Sequence, residues 1–214
     1  YTSPHLLRYN ERVRVAGVES SDADLVAAFA RIDAARGETS LTYYEFGTLG
    51  AMLQFVDATV DVAILEVGLG GRLDAVNLFD ADAAVVTSVD LDHQHYLGDT
   101  RELIGFEKAG IFRAHRPAIC ADPDPPASLL AHIGDLGADA WQLGKDFNLD
   151  RADADWTYRG REWILAGLPV PAMVGAHQVR NAAAAIAALE ALHTLLPVDA
   201  PAIAHGLRHA RVAG

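Results

Sequence analysis

One cysteine, two lysines and no long apolar run are the conspicuous shortages of this 214-residue sequence. Cys120 has no partner in the chain, which excludes an internal disulfide and a cysteine-rich metal site. Within Pro117-Ala118-Ile119-Cys120 it reads as a small core residue of a strand. A membrane helix needs about 18 to 20 consecutive apolar residues, and no stretch reaches that. The first residues do not follow a signal-peptide pattern, so the protein is expected to be soluble and cytoplasmic, with no membrane partner. Cations are scarce as well: 17 Lys and Arg stand against 29 Asp and Glu, a formal charge of −12. That balance argues against the clustered positive surface that nucleic acid requires. Of those cations only Lys108 and Lys145 are lysines, which hints at a reason for each, although a drift in base composition explains the bias equally well.

What is present is apolar and alternating. With 51% hydrophobic and 21% charged residues the chain can build one domain with a real core. Asp22 to Arg36 carries Leu25, Phe29 and Ile32 on one face and stops at Gly37, an amphipathic helix. Tyr44 to Val56 places Phe46, Leu49, Leu53 and Val56 at helical spacing and leads into an apolar strand, Val62 to Glu66. A strand at Ala83 to Ser88 follows, then a helix at Arg101 to Ile111, a strand at Pro117 to Cys120, a helix at Ala127 to Leu136 and a strand at Ala138 to Leu143. This rhythm implies an α/β fold in three layers, a parallel sheet with helices on its faces. Trp156-Thr157-Tyr158, a Gly160 turn and Glu162-Trp163-Ile164-Leu165 read as a small antiparallel edge hairpin. Gln178 to Leu195 forms a long alanine-rich helix, and a shorter one lies around Ile203 to His209.

Glu66 ends its apolar run and opens directly into Val67-Gly68-Leu69-Gly70-Gly71-Arg72-Leu73-Asp74-Ala75. A carboxylate at the exit of a buried strand is where an α/β enzyme displays a catalytic or metal-binding group. A dinucleotide fingerprint from Gly68 would need a glycine at position 73, which is Leu73, and a long helix after it. A second strand arrives instead, after too few residues for a helical crossover. If the two strands are neighbours, Glu66 and His93 of Ser88-Val89-Asp90-Leu91-Asp92-His93 share the carboxyl edge of the sheet.

Five segments, in order, resemble the dihydrofolate synthase/folylpolyglutamate synthase family of the Mur ligase superfamily. They are Thr2-Ser3-Pro4-His5-Leu6 with Asn10-Glu11-Arg12, Leu41-Thr42-Tyr43-Tyr44-Glu45-Phe46, Leu65 to Ala75, Leu91-Asp92-His93, and Glu107-Lys108-Ala109-Gly110-Ile111-Phe112-Arg113. The resemblance implies a P-loop NTPase-like central domain of an ATP-dependent amide ligase that adds L-glutamate to dihydropteroate or folates. It departs from the family at both ends. Residue 1 already lies within a motif, Val212-Ala213-Gly214 adds no closing element, and no glycine-lysine-serine phosphate loop occurs. Residues 1–214 are thus expected to be a truncated central ATPase domain, inactive alone, of a monomeric parent that carries its glutamate-ligase domain elsewhere.

The same resemblance assigns roles. Ser3, Glu66 and His93 match the magnesium ligands, Lys108 matches a carbamylated lysine that helps hold the second of two Mg²⁺ ions, and Lys108 and His93 form the catalytic group. Thr42, Tyr43, Tyr44, Glu45 and Leu73 match the site for the pterin-carrying substrate, and Asn181, in Gly175 to Ala183, matches a contact to ATP. Blander alternatives stay open. Ser3 can cap a turn before Pro4, Asp92 or His95 can carry the function instead of His93, Lys108 can be a surface lysine, the tyrosines can be core packing, and Asn181 can be a helix N-terminal polar residue. Another superfamily ligase, or a non-catalytic nucleotide-binding module, is the rival reading.

Overall fold

A computed structural model describes residues 1–152 and 154–211, so Val212-Ala213-Gly214 lies outside the described residues. The chain divides into two compact units, Tyr1–Phe79 and Asp80 onward. No helix among the described residues is long and apolar enough to cross a membrane.

In the first unit a 3-10 turn (Tyr9–Arg12) precedes a two-stranded hairpin, β1 (Arg14–Val15) and β2 (Val18–Glu19), which the sequence reading did not separate from the preceding segment. Helix α1 (Asp22–Arg36) has the expected bounds, because Ser21 accepts from Asp24 N at 3.1 Å and Gly37 leaves the helix at φ 56°. Helix α2 (Tyr43–Asp57) begins at a capping box in which Thr42 Oγ1 accepts from Glu45 N and Glu45 Oε2 accepts from Thr42 N. Its buried face is not the expected one. Gly47, Thr48, Ala51 and Phe55 are buried, while Val56 is 65% exposed. The reason is close helix packing: a Cβ on Gly50 would come within 2.7 Å of the Phe29 ring, so small residues occupy the contact and larger ones flank it.

The expected strand at Val62 to Glu66 is corrected. The segment is extended but assigned to no sheet, and Ile64 is 79% exposed. Among the described residues its backbone–backbone bonds go to one residue, with Tyr1 N donating to Ile64 O at 2.8 Å and Glu66 N to Tyr1 O at 3.0 Å. A strand needs ladder partners along its edges, and an apolar run cannot supply its own. The premise that Glu66 and His93 end neighbouring strands therefore does not hold.

In the second unit β3 (Ala84–Val86), β4 (Pro117–Cys120) and β5 (Asp139–Gln142) form a parallel sheet in that order. Helix α3 (Gln94–Leu97) is a single turn, followed by α4 (Arg101–Ala109) and α5 (Ala127–Leu136). Period-two alternation splits the sheet's side chains between two cores. Ala84, Val86, Ala118 and Cys120 pack with Ile104 of α4 and Leu129 and Ile133 of α5. Ile119 and Trp141 pack on the other side with α6 (Gln178–Ala191). That is the expected three-layer order, and Cys120 is a buried core residue, as expected. The expected hairpin grows to a three-stranded antiparallel sheet of β6 (Asn148–Arg151), β7 (Asp155–Arg159) and β8 (Ile164–Pro169). Helix α6 stops four residues short of Leu195, where His193 Nδ1 donates to the Glu190 carbonyl at 2.7 Å. Helix α7 (Ala200–His209) closes the described chain.

Three phenols sense this packing. Burial raises Tyr9 to about 12 and pushes Tyr44 and Tyr158 higher still. A raised folded-state pKa contributes stability that is complete below the ordinary value near 10 and is lost as pH climbs toward the folded value. Urea midpoints of both units should therefore hold steady to about pH 9.5 and fall between about pH 10 and 12. Tyr158→Phe should flatten that fall in the second unit only.

Candidate active site

In the first unit the functional side chains gather around Glu66. Its carboxylate Oε2 accepts from the Thr2 hydroxyl and from Ser3 N at 3.0 Å, and among the described residues neither bond uses Oε1. The carboxylate is exposed, so it is held by these two donors and not by a burial penalty, as its place after an apolar run had suggested. Tyr44 joins the Thr42 to Glu45 turn to this point by donating to Glu66 O at 3.2 Å. Its phenol is pushed up by burial and then by the Asp74 charge, while a Ser3 side-chain bond pulls the other way. Gly68 is required beside it, since a Cβ there would lie 2.7 Å from the Tyr44 ring.

The glycine-rich loop is organised by a residue to which the sequence reading gave no role. Asp74 Oδ2 accepts from Gly68 N at 3.0 Å and Leu69 N at 2.9 Å, and its Oδ1 accepts from Val76 N at 3.0 Å. The signal was available as an aspartate capping the short Ala75–Leu78 turn.

An aromatic-walled cleft of about 290 Å³ lies in the same unit, lined by Tyr9, Phe29, Leu41, Thr42, Tyr43 and Phe46. Buried Arg12 lies 5.5 Å from the Tyr9 and Tyr43 ring centres and donates to His5 Nδ1 at 2.8 Å. Of the five residues matched to the pterin site, Thr42 and Tyr43 line this cleft. Thr42 and Glu45 also cap α2, Tyr44 belongs to the Glu66 cluster, and Leu73 is 81% exposed on the loop.

The second unit brings His93 and Lys108 to a shared neighbour. Asp92 Oδ1 accepts from His93 N at 2.7 Å, and Asp92 Oδ2 lies 3.6 Å from His93 Nε2. Lys108 is half-buried at the end of α4; burial lowers its amine, and the Asp92 charge opposes that shift. His93 stands in the left-handed region at φ 49°. Asn181 sits in the first turn of α6, its Nδ2 donating to Gln178 Oε1 at 3.4 Å. Arg101 and buried Asp122, which hold the loop leading to His93, were likewise missed; each is a single residue inside an ordinary pattern.

Among the described residues no group of three or more His, Cys, Asp or Glu side chains gathers to hold a metal ion, yet the separate donors are of kinds that a hard divalent cation takes. Magnesium takes oxygen ligands and retains waters, and the first unit offers a carboxylate and a hydroxyl side by side. In the second, the His93 imidazole and the Lys108 amine, whose proton affinity burial lowers, each neighbour Asp92.

The Mur ligase middle domain model matches residues 14–189. The dihydrofolate synthase/folylpolyglutamate synthase of Escherichia coli (strain K12) is 48% identical over the whole of this chain and 49% of its own length. Among solved structures, E. coli FolC in complex with DHPP and ADP superposes with a TM-score of 0.93 at 48% identity, over 98% of this chain and 49% of that one. A bifunctional folylpolyglutamate synthase/dihydrofolate synthase with Mn, AMPPNP and L-glutamate bound gives 0.92 at 47% identity, over all of this chain and 51% of that one. The chain spans about half the length of the curated relatives it matches.

Proposed function

The chain belongs to the Mur ligase middle domain family, and on that premise we propose that residues 1–214 serve as the central ATPase domain of an ATP-dependent dihydrofolate synthase/folylpolyglutamate synthase. The reaction joins L-glutamate to dihydropteroate or a folate by first transferring the ATP γ-phosphoryl group to the acceptor's free carboxylate, releasing ADP and giving an acyl phosphate that the glutamate amine attacks with loss of phosphate. The observation that carries the reading is the Tyr44 bond to the Glu66 backbone carbonyl, which ties the substrate-matched turn to the residue whose carboxylate is matched to the cation.

Ser3, Glu66 and His93 would hold magnesium, with a carbamylated Lys108 serving a second ion. When bound, the cations neutralise charge between the nucleotide and the acceptor carboxylate. The protein's own residues position the rest. Thr2 and Ser3 N orient the Glu66 carboxylate, the aromatic cleft offers flat walls to a pterin, and Asn181 offers an amide to ATP. A monomeric cytoplasmic enzyme acting on small molecules, not on nucleic acid or membranes, accords with the charge of −12. The reading assigns the phosphate loop and the glutamate site to other segments of the parent, so the 214-residue chain alone should not turn over.

A chimera tests this reading. With residues 1–214 replacing the matching segment of the E. coli relative, ATP-dependent conversion of dihydropteroate and glutamate to dihydrofolate should persist. A chimera that folds and binds ATP yet joins only peptidoglycan-precursor substrates would defeat it.

Lys108 gives a separate check. A lysine accepts CO₂ only as the neutral amine, and partial burial favours that form. In the chimera with ¹³CO₂, nucleotide and Mg²⁺, a carbamate carbon resonance should appear and should be missing from Lys108→Arg. Equal signals in the two proteins would remove Lys108 from the site.

A further inference from the structure

Arg101, at the first turn of α4, grips the exit of β3. Its Nε donates to Val89 O at 2.9 Å, its Nη2 to Asp122 Oδ2 at 3.3 Å and to Asp124 O at 2.7 Å, and its Nη1 to Asp124 Oδ2 at 3.1 Å. Asp122 is 3% exposed and spends its oxygens on the same place: Oδ2 accepts from Val89 N at 2.6 Å and Oδ1 from Asp124 N at 2.9 Å. Both polar groups of the Val89 backbone are therefore held, the N–H by Asp122 and the C=O by Arg101. The Val89 side chain is buried in the core beneath α4.

This clamp stands four residues before His93. The turn between is closed locally, with Leu91 N donating to Asp90 Oδ1 at 2.8 Å and His93 N to Asp92 Oδ1 at 2.7 Å. His93 itself adopts φ 49° and ψ 38°. A side-chain-bearing residue stays in that region only where its surroundings over-determine the backbone. The local Asx bonds do not fix where the turn begins; the clamped Val89 does.

We propose that Arg101 is a positioning residue for the cation site: through Asp122 and the Val89 backbone it fixes the Asp90 to His93 turn and so the direction of the His93 imidazole. The proposal deepens the reading of His93 as a metal ligand and rests on it. The guanidinium suits the role because one planar fork serves two carbonyls and two carboxylates at once. A lysine keeps the charge beside buried Asp122 but cannot make the same set of bonds.

The test uses the 214-residue protein with ¹³C-labelled histidine and ¹⁵N amides, the His93 ring signal being assigned with His93→Gln. Mn²⁺ should broaden that signal in the wild-type protein. In Arg101→Lys, which retains the charge beside Asp122 and hence the fold, amide exchange at Leu91 and His93 should quicken about tenfold. The Mn²⁺ needed to broaden His93 should rise about tenfold, as for other outer-shell partners of metal ligands. Asp124→Asn, which leaves the Val89 bonds intact, should change neither. Unchanged exchange in Arg101→Lys overturns the proposal, and so does faster exchange with unchanged Mn²⁺ broadening, which would leave only a structural ion pair. A wild-type His93 that Mn²⁺ never broadens defeats the ligand reading instead, and the exchange comparison then decides the positioning claim by itself.

Discussion

Glutamine in place of Glu66 is expected to slow dihydropteroate ligation by the chimera on the order of 10³-fold, with its unfolding midpoint unchanged. The two halves of that expectation have separate physical grounds. Glutamine has the same shape, and its carbonyl oxygen can still accept from Thr2 and Ser3 N, so the local bonds that orient the side chain survive. Because the carboxylate is exposed, no buried charge is lost or gained. What disappears is the negative charge that a hard cation requires of its ligand. Rate and midpoint measured on the same preparation decide the matter. A Glu66→Gln chimera within tenfold of its parent's rate would mean that the cation is held elsewhere, and an equal loss in stability would mean that Glu66 is chiefly structural.

The largest expected loss of stability lies far from that chemistry, at Glu190. This carboxylate is 2% exposed near the end of α6 and is fully engaged. Tyr158 Oη donates to Oε2 at 2.6 Å, and Glu162 N and Trp163 N donate to Oε1 at 2.6 and 2.8 Å. One side chain thereby secures the turn between β7 and β8. The fit is tight enough that a Cβ on Gly160 would meet Glu190 Oε2 at 1.7 Å. Alanine would leave the buried Tyr158 hydroxyl and two part-buried backbone donors without an acceptor and should cost about 3–5 kcal/mol. That corresponds to a fall of roughly 10–20 °C in the second unit's melting temperature. Glutamine should cost less, about 1–2 kcal/mol, because its carbonyl can still serve the two backbone donors. A loss below about 1 kcal/mol for the alanine variant, by urea titration, would show that water replaces the carboxylate.

Where structure is specified by neighbours along the chain, the sequence was legible. The bounds of α1, β4 and α5 fall where they were expected. Ser21 caps its own helix within three residues, and Gly37 and Gly137 end theirs in the left-handed region. The two-faced sheet followed from the alternation of helix and strand segments, and within β4 Ala118 and Cys120 oppose Ile119. The resemblance also picked out Ser3, Glu66 and Tyr44, which the first unit gathers into one cluster.

Where partners are distant, it was not. Val62 to Glu66 has the composition of a buried strand, but a strand exists only with a ladder, and its backbone–backbone bonds go to Tyr1, more than sixty residues away. The contact face of α2 went to small residues because a helix approaches most closely where side chains are short, which a pattern of large apolar residues does not register. Asp122 and Arg101 were illegible for a related reason. Nothing in either residue's neighbours announces that they will meet Val89 from 33 and 12 positions away. By itself the sequence determined which segments are helix or strand wherever caps and alternation act within a few residues, and its resemblance nominated the side chains for the candidate chemistry. Only the tertiary structure decided which of those segments find a ladder and which carboxylates are buried. It also decided which loop is held rigid beneath His93, because burial and hydrogen-bond partnership are properties of pairs that the fold brings together.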